Sequence, residues 1–389
     1  MDFNNTKIAF QDKTEGDLRR AKFLFNSIRQ NWLVMTGKVA LGIAQKVHFP
    51  IGWAIKPTLY RHFVGGETIA QCEQVVEKLA KSKVQSILDY SVEGTSTEQG
   101  INNAFEETLR TIDNAATNAN IPFAVFKPTA MIDTRILKKI SFKESVSDEE
   151  QEQYKAFAQR IDIMAQKAFD SNVRLLIDAE DYWFQQAIDD VVEEMMLKYN
   201  KERVVVFNTL QMYRTDRLEY LKNLIAKART SGFFVGVKFV RGAYMEKERA
   251  RAEQEGYPSP INATKDDTDK MYNDALRISM EHIDILNVFN GTHNEESNLL
   301  LAQIIEDKKL AKNDARVYFS QLYGMSDHIS YNLAEAGYNV AKYIPYGPVK
   351  HVAPYLIRRA EENTSVAGQT GRELSLILKE QNRRKTENQ

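Results

Sequence analysis

Cysteine occurs once in the 389 residues, at Cys72, so an intrachain disulfide is excluded and the chain suits a reducing compartment. Histidine is also scarce, with 6 residues, and no His/Cys spacing resembles a metal site. No charge of either sign dominates. The 52 basic and 53 acidic residues leave a net charge of -1, which removes the electrostatic case for a nucleic-acid partner. No apolar run approaches the ~18 residues of a membrane span. The opening MDFNNTKIAFQDKTEGDLRR lacks the apolar stretch of a signal peptide and is too acidic for a typical transit peptide. The expectation is a cytoplasmic protein. Familiar catalytic layouts are missing too: there is no serine elbow, no nucleophile beside an obvious base, and no carboxylate pair for glycoside cleavage. A bound cofactor that carries the difficult chemistry is the natural alternative.

What is present is ordinary globular composition, 43% hydrophobic and 27% charged, at a length that fits two domains or one large barrel. Residues 15–82 carry apolar side chains at three- and four-residue spacing and read as helical, with a Gly-Gly break before GGETIAQCEQVVEKLAKSKV. The pattern then changes. Eight short apolar runs follow, at 84–90, 122–129, 173–180, 203–210, 233–240, 283–290, 316–322 and 339–345. Each is continuous rather than alternating, as strands covered on both faces require. Helix-like segments separate them, from TEQGINNAFEETLRTIDNAAT to SDHISYNLAEAG. The expected fold is α/β, a (β/α)8 TIM barrel with an N-terminal helical region. A doubly wound open sheet is the rival, weakened by the lack of a Gly-rich turn after the first strand. The expected division is an N-terminal helical region 1–83, a catalytic barrel 84–375 and a polar tail 376–389, frayed at RRKTENQ.

In such a barrel the chemistry sits at the C-terminal ends of the strands. The second run ends in Lys127, and the third in Asp178 and Glu180. The fourth is followed by Asn208, Thr209 and Gln211, and the fifth by Lys238, Arg241 and Tyr244. The sixth gives Thr292, His293 and Asn294. The seventh gives Ser320, Gln321 and Leu322, and the eighth Lys342 and Tyr343. In PYLIRRAEEN, Pro354 is expected in the first turn of a helix carrying Arg358 and Arg359, with Glu362 one turn on. Each residue has a plainer reading. Lys127 and Asp178 could form a structural ion pair. His293 could be a hydrogen-bonded rim histidine. Tyr244 and Tyr343 could be packing residues, Gly242 a turn glycine, and the arginine pair a solvated face. What favours function is convergence, since most strands end in polar groups that would face one mouth. Cations at Lys127, Lys238, Arg241, Lys265, Arg358 and Arg359, mixed with aromatic rings, suit a phosphate-bearing aromatic cofactor and a small anionic substrate.

The stretches LDYSVEG, KFVRGAYMEKERARAEQEGYPSPINATKDDTDKMYNDAL, GTHNEES and FSQLYGMSDHISYNLAEAGYNVAKYIPYGPVKHVAPYLIRRAEEN together resemble proline dehydrogenases, from about residue 88 to 363. The likeness is to the monofunctional, eukaryote-like branch rather than to fused bifunctional enzymes. It implies a distorted (β/α)8 barrel holding FAD non-covalently. It also implies oxidation of L-proline to Δ1-pyrroline-5-carboxylate, hydride transfer from C5 to flavin N5, and a quinone acceptor reached by peripheral membrane contact. By the resemblance, Arg358 and Arg359 grip the substrate carboxylate and Glu362 orients them. Lys127 and Asp178 border substrate and flavin, Tyr343 packs on the proline ring, and Tyr244 and Leu322 complete the substrate wall. The flavin positions are Lys238, Val240, Arg241, Gly242, Ala243, Lys265, Thr292, His293, Asn294 and Gln321, with Thr209 or Gln211 from the fourth strand; Asp178 and Glu362 also border it. Lys238 stands where the family often has arginine, Ser320 and Thr209 fall where glutamines are common, and Pro128 replaces a common leucine. Rival readings are a hydroxyproline or other cyclic imino acid dehydrogenase, a non-catalytic FAD- or proline-binding barrel, and a flavin-free barrel lyase or hydrolase. A tyrosine at 343 argues for proline, because members that prefer hydroxyproline tend to carry a smaller residue there.

Overall fold

The computed structural model describes residues 1–28, 30, 56–91, 97–365 and 367–387. The chain opens with α1 (Thr6–Ala9), α2 (Glu15–Ile28) and α3 (Ile69–Ala80), with a short turn of helix at Arg61–Phe63. The rest of the helical pattern expected over 15–82 lies partly outside the described residues. All eight expected strands then form: β1 (Gln85–Tyr90), β2 (Phe123–Phe126), β3 (Arg174–Ile177), β4 (Val206–Gln211), β5 (Val235–Val240), β6 (Leu286–Gly291), β7 (Val317–Leu322) and β8 (Val340–Tyr346). Between them run α4 (Glu98–Thr117), α5 (Thr134–Ser141), α6 (Asp148–Asp170), α7 (Tyr182–Tyr199) and α8 (Arg217–Ser231). These are followed by α9 (Met245–Glu255), α10 (Lys265–Glu281), α11 (Glu295–Asp307) and α12 (Asp327–Glu335), and the chain closes with α13 (Val349–Ser365) and α14 (Ala367–Glu387). Several helices begin where a hydroxyl or amide can accept an orphan backbone N–H. Thr97 accepts from Gly100, Asn294 accepts from Ser297, and Ser147 with Glu150 forms a reciprocal capping box.

The strands are all parallel, in the order β1-β8-β7-β6-β5-β4-β3-β2. The sheet curls into a barrel whose two end strands, β1 and β2, meet without a ladder among the described residues; Ser86 N–H donates to the Asn120 carbonyl at 2.8 Å near their starts. Register fixes which residues face the lumen. Phe207 is beside Gly236, Phe289 beside Tyr318, and Ile87 beside Tyr343. Ile87, Phe207, Phe289, Tyr318 and Tyr343 share one buried cluster with Phe123, Val125, Leu176, Val204 and Ala341, the floor of the barrel. Phe123 sits at its centre, with ring centroids 5.6, 5.1 and 4.8 Å from Phe207, Phe289 and Tyr318, all edge to face. The larger cluster lies outside, between the strands and the helical ring.

Two expectations about the C-terminal part are corrected. Pro354 is not in the first turn of its helix: α13 begins at Val349, so the proline stands inside it. The polar tail is not frayed through the described residues, because α14 continues to Glu387. Its polar face hid an apolar one. Leu376 and Ile377 are buried against Ala9, Phe10, Leu18 and Phe25 of the N-terminal helices. Arg384 donates to the Phe10 and Lys13 carbonyls at 2.9 Å each, and Arg384 and Arg383 both bind the buried Glu380. Deleting residues 376–389 is therefore expected to cost on the order of 3–6 kcal/mol, from two buried aliphatic side chains, read as a lower midpoint in urea unfolding; an unchanged midpoint would restore the frayed-tail reading.

Candidate active site

Side chains on a strand alternate between faces, so the floor residues determine which later residues point into the mouth. Counting by two from Val125, Leu176, Phe207, Gly236 and Ala341 reaches Lys127, Asp178, Thr209 and Gln211, Lys238 and Tyr343. These groups interlock. Lys238 Nζ donates to Asp178 Oδ1 at 2.5 Å, and Tyr343 Oη donates to Asp178 Oδ2 at 2.7 Å. The Lys238 ammonium also lies 4.5 Å from the Tyr343 ring centroid. Burial, with Asp178 and Asp89 nearby, pushes the Tyr343 phenol well above its ordinary range, so it stays a neutral donor.

Lys127 does not form the structural ion pair with Asp178 that the plainer reading of the sequence allowed. Its ammonium donates to both oxygens of Asp89, at 2.6 and 2.7 Å, with both residues buried. Asp178 already has Lys238 and Tyr343, and a lysine reaching across from β2 finds the β1 carboxylate closer. Glu180, two residues beyond Asp178, accepts from Thr129 N–H at 3.1 Å and Thr129 Oγ1 at 2.7 Å, and from Tyr244 Oη at 3.4 Å. Thr209 donates to the Ile177 carbonyl at 2.8 Å, and Gln211 to the Glu180 carbonyl at 2.6 Å. Gln211 ends its strand at the mouth, whereas Thr209 lies one inward position deeper.

The rim of β5 and β6 carries the other predicted positions. Val240 ends β5, and Arg241 spans from it to β6, bonding Asp269 at 2.7 Å, Thr292 at 2.6 Å and Ser297 at 3.1 Å. Lys265 begins α10 and also pairs with Asp269. Gly242 has φ 132, and a Cβ there would stand 2.3 Å from the Tyr213 ring, so this turn accepts only glycine; Ala243 follows it, exposed. His293 Nδ1 lies 2.9 Å from Ser326 Oγ. Burial, together with the charges of Lys342 and Arg359, holds this imidazole well below its usual pKa, so it is neutral at working pH. Asn294 caps α11. Gln321 takes the outward parity of β7. It donates to the Thr292 carbonyl at 3.0 Å and accepts from Ser330 Oγ at 2.7 Å, so Ser320, not Gln321, faces the lumen. Gln321, expected from the resemblance among the cofactor positions, supports Thr292 from behind.

The arginine pair arrives on α13. Val352, Tyr355 and Leu356 bury that helix against Phe63, Val64 and Met325, and Leu322 touches both this cluster and the floor cluster. The helix therefore borders the mouth beside Leu322. Arg358 Cζ lies 6.0 Å from the Tyr244 ring centroid, and the buried Arg359 5.2 Å from that of Tyr355. The Glu362 side chain lies outside the described residues. Lys342, placed among the strand-end groups by sequence, takes the parity opposite Tyr343. It is wholly buried behind the barrel wall, 2.9 Å from Asp327.

The sequence reading left out three residues. Asp89 is the one charge in the first apolar run, in step with Ile87. Tyr213 and Glu248 flank the RGAY turn: Glu248 Oε1 accepts from Tyr213 Oη at 2.8 Å and from Tyr182 N–H at 3.1 Å. Glu248 reads as a solvated helical carboxylate in sequence, because nothing local shows that this face of α9 is buried.

The sequence model described as proline dehydrogenase matches residues 72–372. The chain belongs to the proline dehydrogenase family. Among curated relatives, proline dehydrogenase 1, mitochondrial, of Homo sapiens is 43% identical over 241 residues, covering 61% of this chain and 40% of that one. The carbapenem antibiotics biosynthesis protein CarD of Pectobacterium carotovorum is 35% identical over 328 residues, covering 83% of each chain. In fold, the chain resembles proline utilization A of Bdellovibrio bacteriovorus, with a TM-score of 0.73 at 22% identity, covering 84% of this chain and 36% of that one. The eight-stranded barrel with its helical ring is thus the fold of that family.

Burial raises the Glu248 carboxyl to about 7. The folded state then holds its proton more tightly than the unfolded chain, whose group titrates near 4.5. The stability this group contributes is complete below that value and is lost as pH rises through about 7. Gln can accept both hydrogen bonds without ionising. Thermal melts from pH 5 to pH 8 are expected to show Glu248→Gln losing less Tm than the unsubstituted protein; parallel curves would remove the buried-carboxyl account.

Proposed function

We propose that this protein oxidises L-proline to Δ1-pyrroline-5-carboxylate with a non-covalently held FAD and delivers the electrons to a quinone. The observation that carries the reading is the meeting of α13 and the strand ends at one mouth. That mouth offers an arginine pair, the buried Lys127–Asp89 pair, the partly buried Lys238–Asp178 pair and the Tyr343 and Leu322 surfaces. Proline is a small zwitterion with an apolar ring. Guanidinia match its carboxylate bidentately, and the apolar surfaces orient C5.

The rim residues fit a flavin dinucleotide by donor type. Arg241 and Lys265 supply cations near the starts of α10 and α11, where a diphosphate is favoured. Lys238, Gln211 and neutral His293 offer N–H donors for a polar ring edge. Gly242 and Ala243 leave the turn between them low. When bound, FAD would supply the two-electron acceptor for the hydride that leaves C5. Oxidation removes that hydride and one proton from the ring nitrogen, so the amine must be neutral beforehand and the rate should rise with pH. The roles of the chain are to hold the carboxylate with Arg358, Arg359 and Lys127, to pack the ring on Tyr343, and to exclude water under α13. A cytoplasmic enzyme that touches the membrane peripherally is the setting that fits a quinone acceptor. No described helix is long and apolar enough to cross a membrane.

An anaerobic absorbance titration tests the reading. The flavin band near ~450 nm is expected to bleach on addition of L-proline; bleaching with hydroxyproline alone would move the substrate, and a protein that cannot be loaded with flavin would end the proposal. In the same titration Arg359→Met is expected to weaken apparent proline affinity by about 10- to 100-fold, since a buried charge pair is broken. An unchanged affinity would remove the clamp.

A further inference from the structure

Seven of the eight strand junctions are stitched by backbone ladders. The junction between β1 and β2 is not, among the described residues. At the floor end this seam is held by Ser86 N–H on the Asn120 carbonyl at 2.8 Å and by Gln85 Nε2 on the Ala119 carbonyl at 3.2 Å. At the mouth end the same two strands are joined by side chains. Asp89, one residue before the end of β1, accepts from Lys127, the residue just past β2, through both of its oxygens at 2.6 and 2.7 Å. Asp89 is itself steadied by Ser91 Oγ at 3.1 Å. Exposure of 2% for Asp89 and 9% for Lys127 shields the pair from solvent screening.

We propose that Asp89 is the positioning residue of Lys127. It fixes the ammonium over the lumen, and with the same two hydrogen bonds it closes the unladdered seam at the catalytic end. A four-carbon lysine stem has many rotamers and no preferred direction, so a buried ammonium is localised by its counter-ion rather than by its own chain. Asp89 comes from the strand across the seam. The place of the ammonium is therefore set by how β1 and β2 meet, and substrate affinity and barrel closure are coupled through one ion pair. The inference rests on the proposed function for the claim that Lys127 meets the substrate carboxylate. The seam itself needs only the geometry.

A double-mutant cycle decides it. The four proteins are the unsubstituted chain, Asp89→Asn, Lys127→Met and the double variant, each loaded with FAD. Apparent proline affinity and limiting rate of flavin bleaching are measured anaerobically, and Tm is measured with flavin removed. Asp89→Asn is expected to weaken proline by about tenfold while the limiting rate stays within about threefold, and to lower Tm. In the Lys127→Met background it should do neither further. Unchanged affinity in Asp89→Asn, or a loss that repeats in full in the Lys127→Met background, overturns the positioning role even if Tm falls. If Asp89→Asn does not fold, Asp89→Glu keeps the charge and moves the oxygens by one methylene; the same affinity loss is expected, and unchanged affinity overturns the role. Should proline fail to bleach the unsubstituted protein, the proposed function fails, and the Tm cycle alone judges the clasp: coupled losses uphold it and additive losses overturn it.

Discussion

The alternation of side chains along a parallel strand is the constraint on which this mouth depends. Each strand turns one residue in two toward the lumen, and the ladders hold neighbouring strands in step. Phe123, Leu176, Phe207 and Phe289 occupy that parity at the floor and plug it. Two or four residues after Phe123, Leu176 and Phe207 the same parity carries Lys127, Asp178 and Gln211, and two after Gly236 it carries Lys238. A slip of one residue in any strand would exchange these for Phe126, Ile177, Leu210 or Phe239, which are buried on the outer face. The apolar floor and the polar mouth are therefore one arrangement read at two heights.

Placing charge in so enclosed a mouth is costly unless each ion has a partner. The arrangement answers with pairs made across strands. Asp89 of β1 holds Lys127 beyond β2, Asp178 beyond β3 holds Lys238 of β5, and Tyr343 of β8 donates to the same aspartate. The partners come from different strands, so the pairs also tie the barrel together at the end where strand ladders run out. His293 takes the opposite course. Burial among cations keeps it neutral, and it joins the site as a hydrogen-bonding ring rather than as a charge.

Behind the wall the same rule draws in the N-terminal segment. Lys342 takes the outward parity of β8 and is fully buried, with Asp327 as counter-ion. Asp327 in turn binds Lys13 at 3.1 Å, and Asp12 accepts from Tyr331 at 2.8 Å. Glu373 of α14 accepts from Ser326 N–H, and Ser326 reaches His293. The terminal helices that pack on one another through Phe25, Leu376 and Ile377 are thus wired to the back of the rim that carries His293.

The alternation of apolar runs with amphipathic segments was legible in the sequence because covered parallel strands must be apolar throughout and their helices on one face only; eight strands, their order and the polar mouth followed from that. The family was legible too, since motifs such as RGAY and GTHNE are contiguous. Partnership was not. Lys127 finds Asp89 rather than Asp178 because β1 and β2 become neighbours only when the sheet closes, although 38 residues separate the pair. Gln321 and Lys342 face outward because parity is counted from a floor that exists only in three dimensions. The burial of Glu248, Glu373 and the apolar face of α14 depends on elements distant in the chain. Local periodicity determines what an element is; only packing decides which of its faces is covered, and which charges must then find one another.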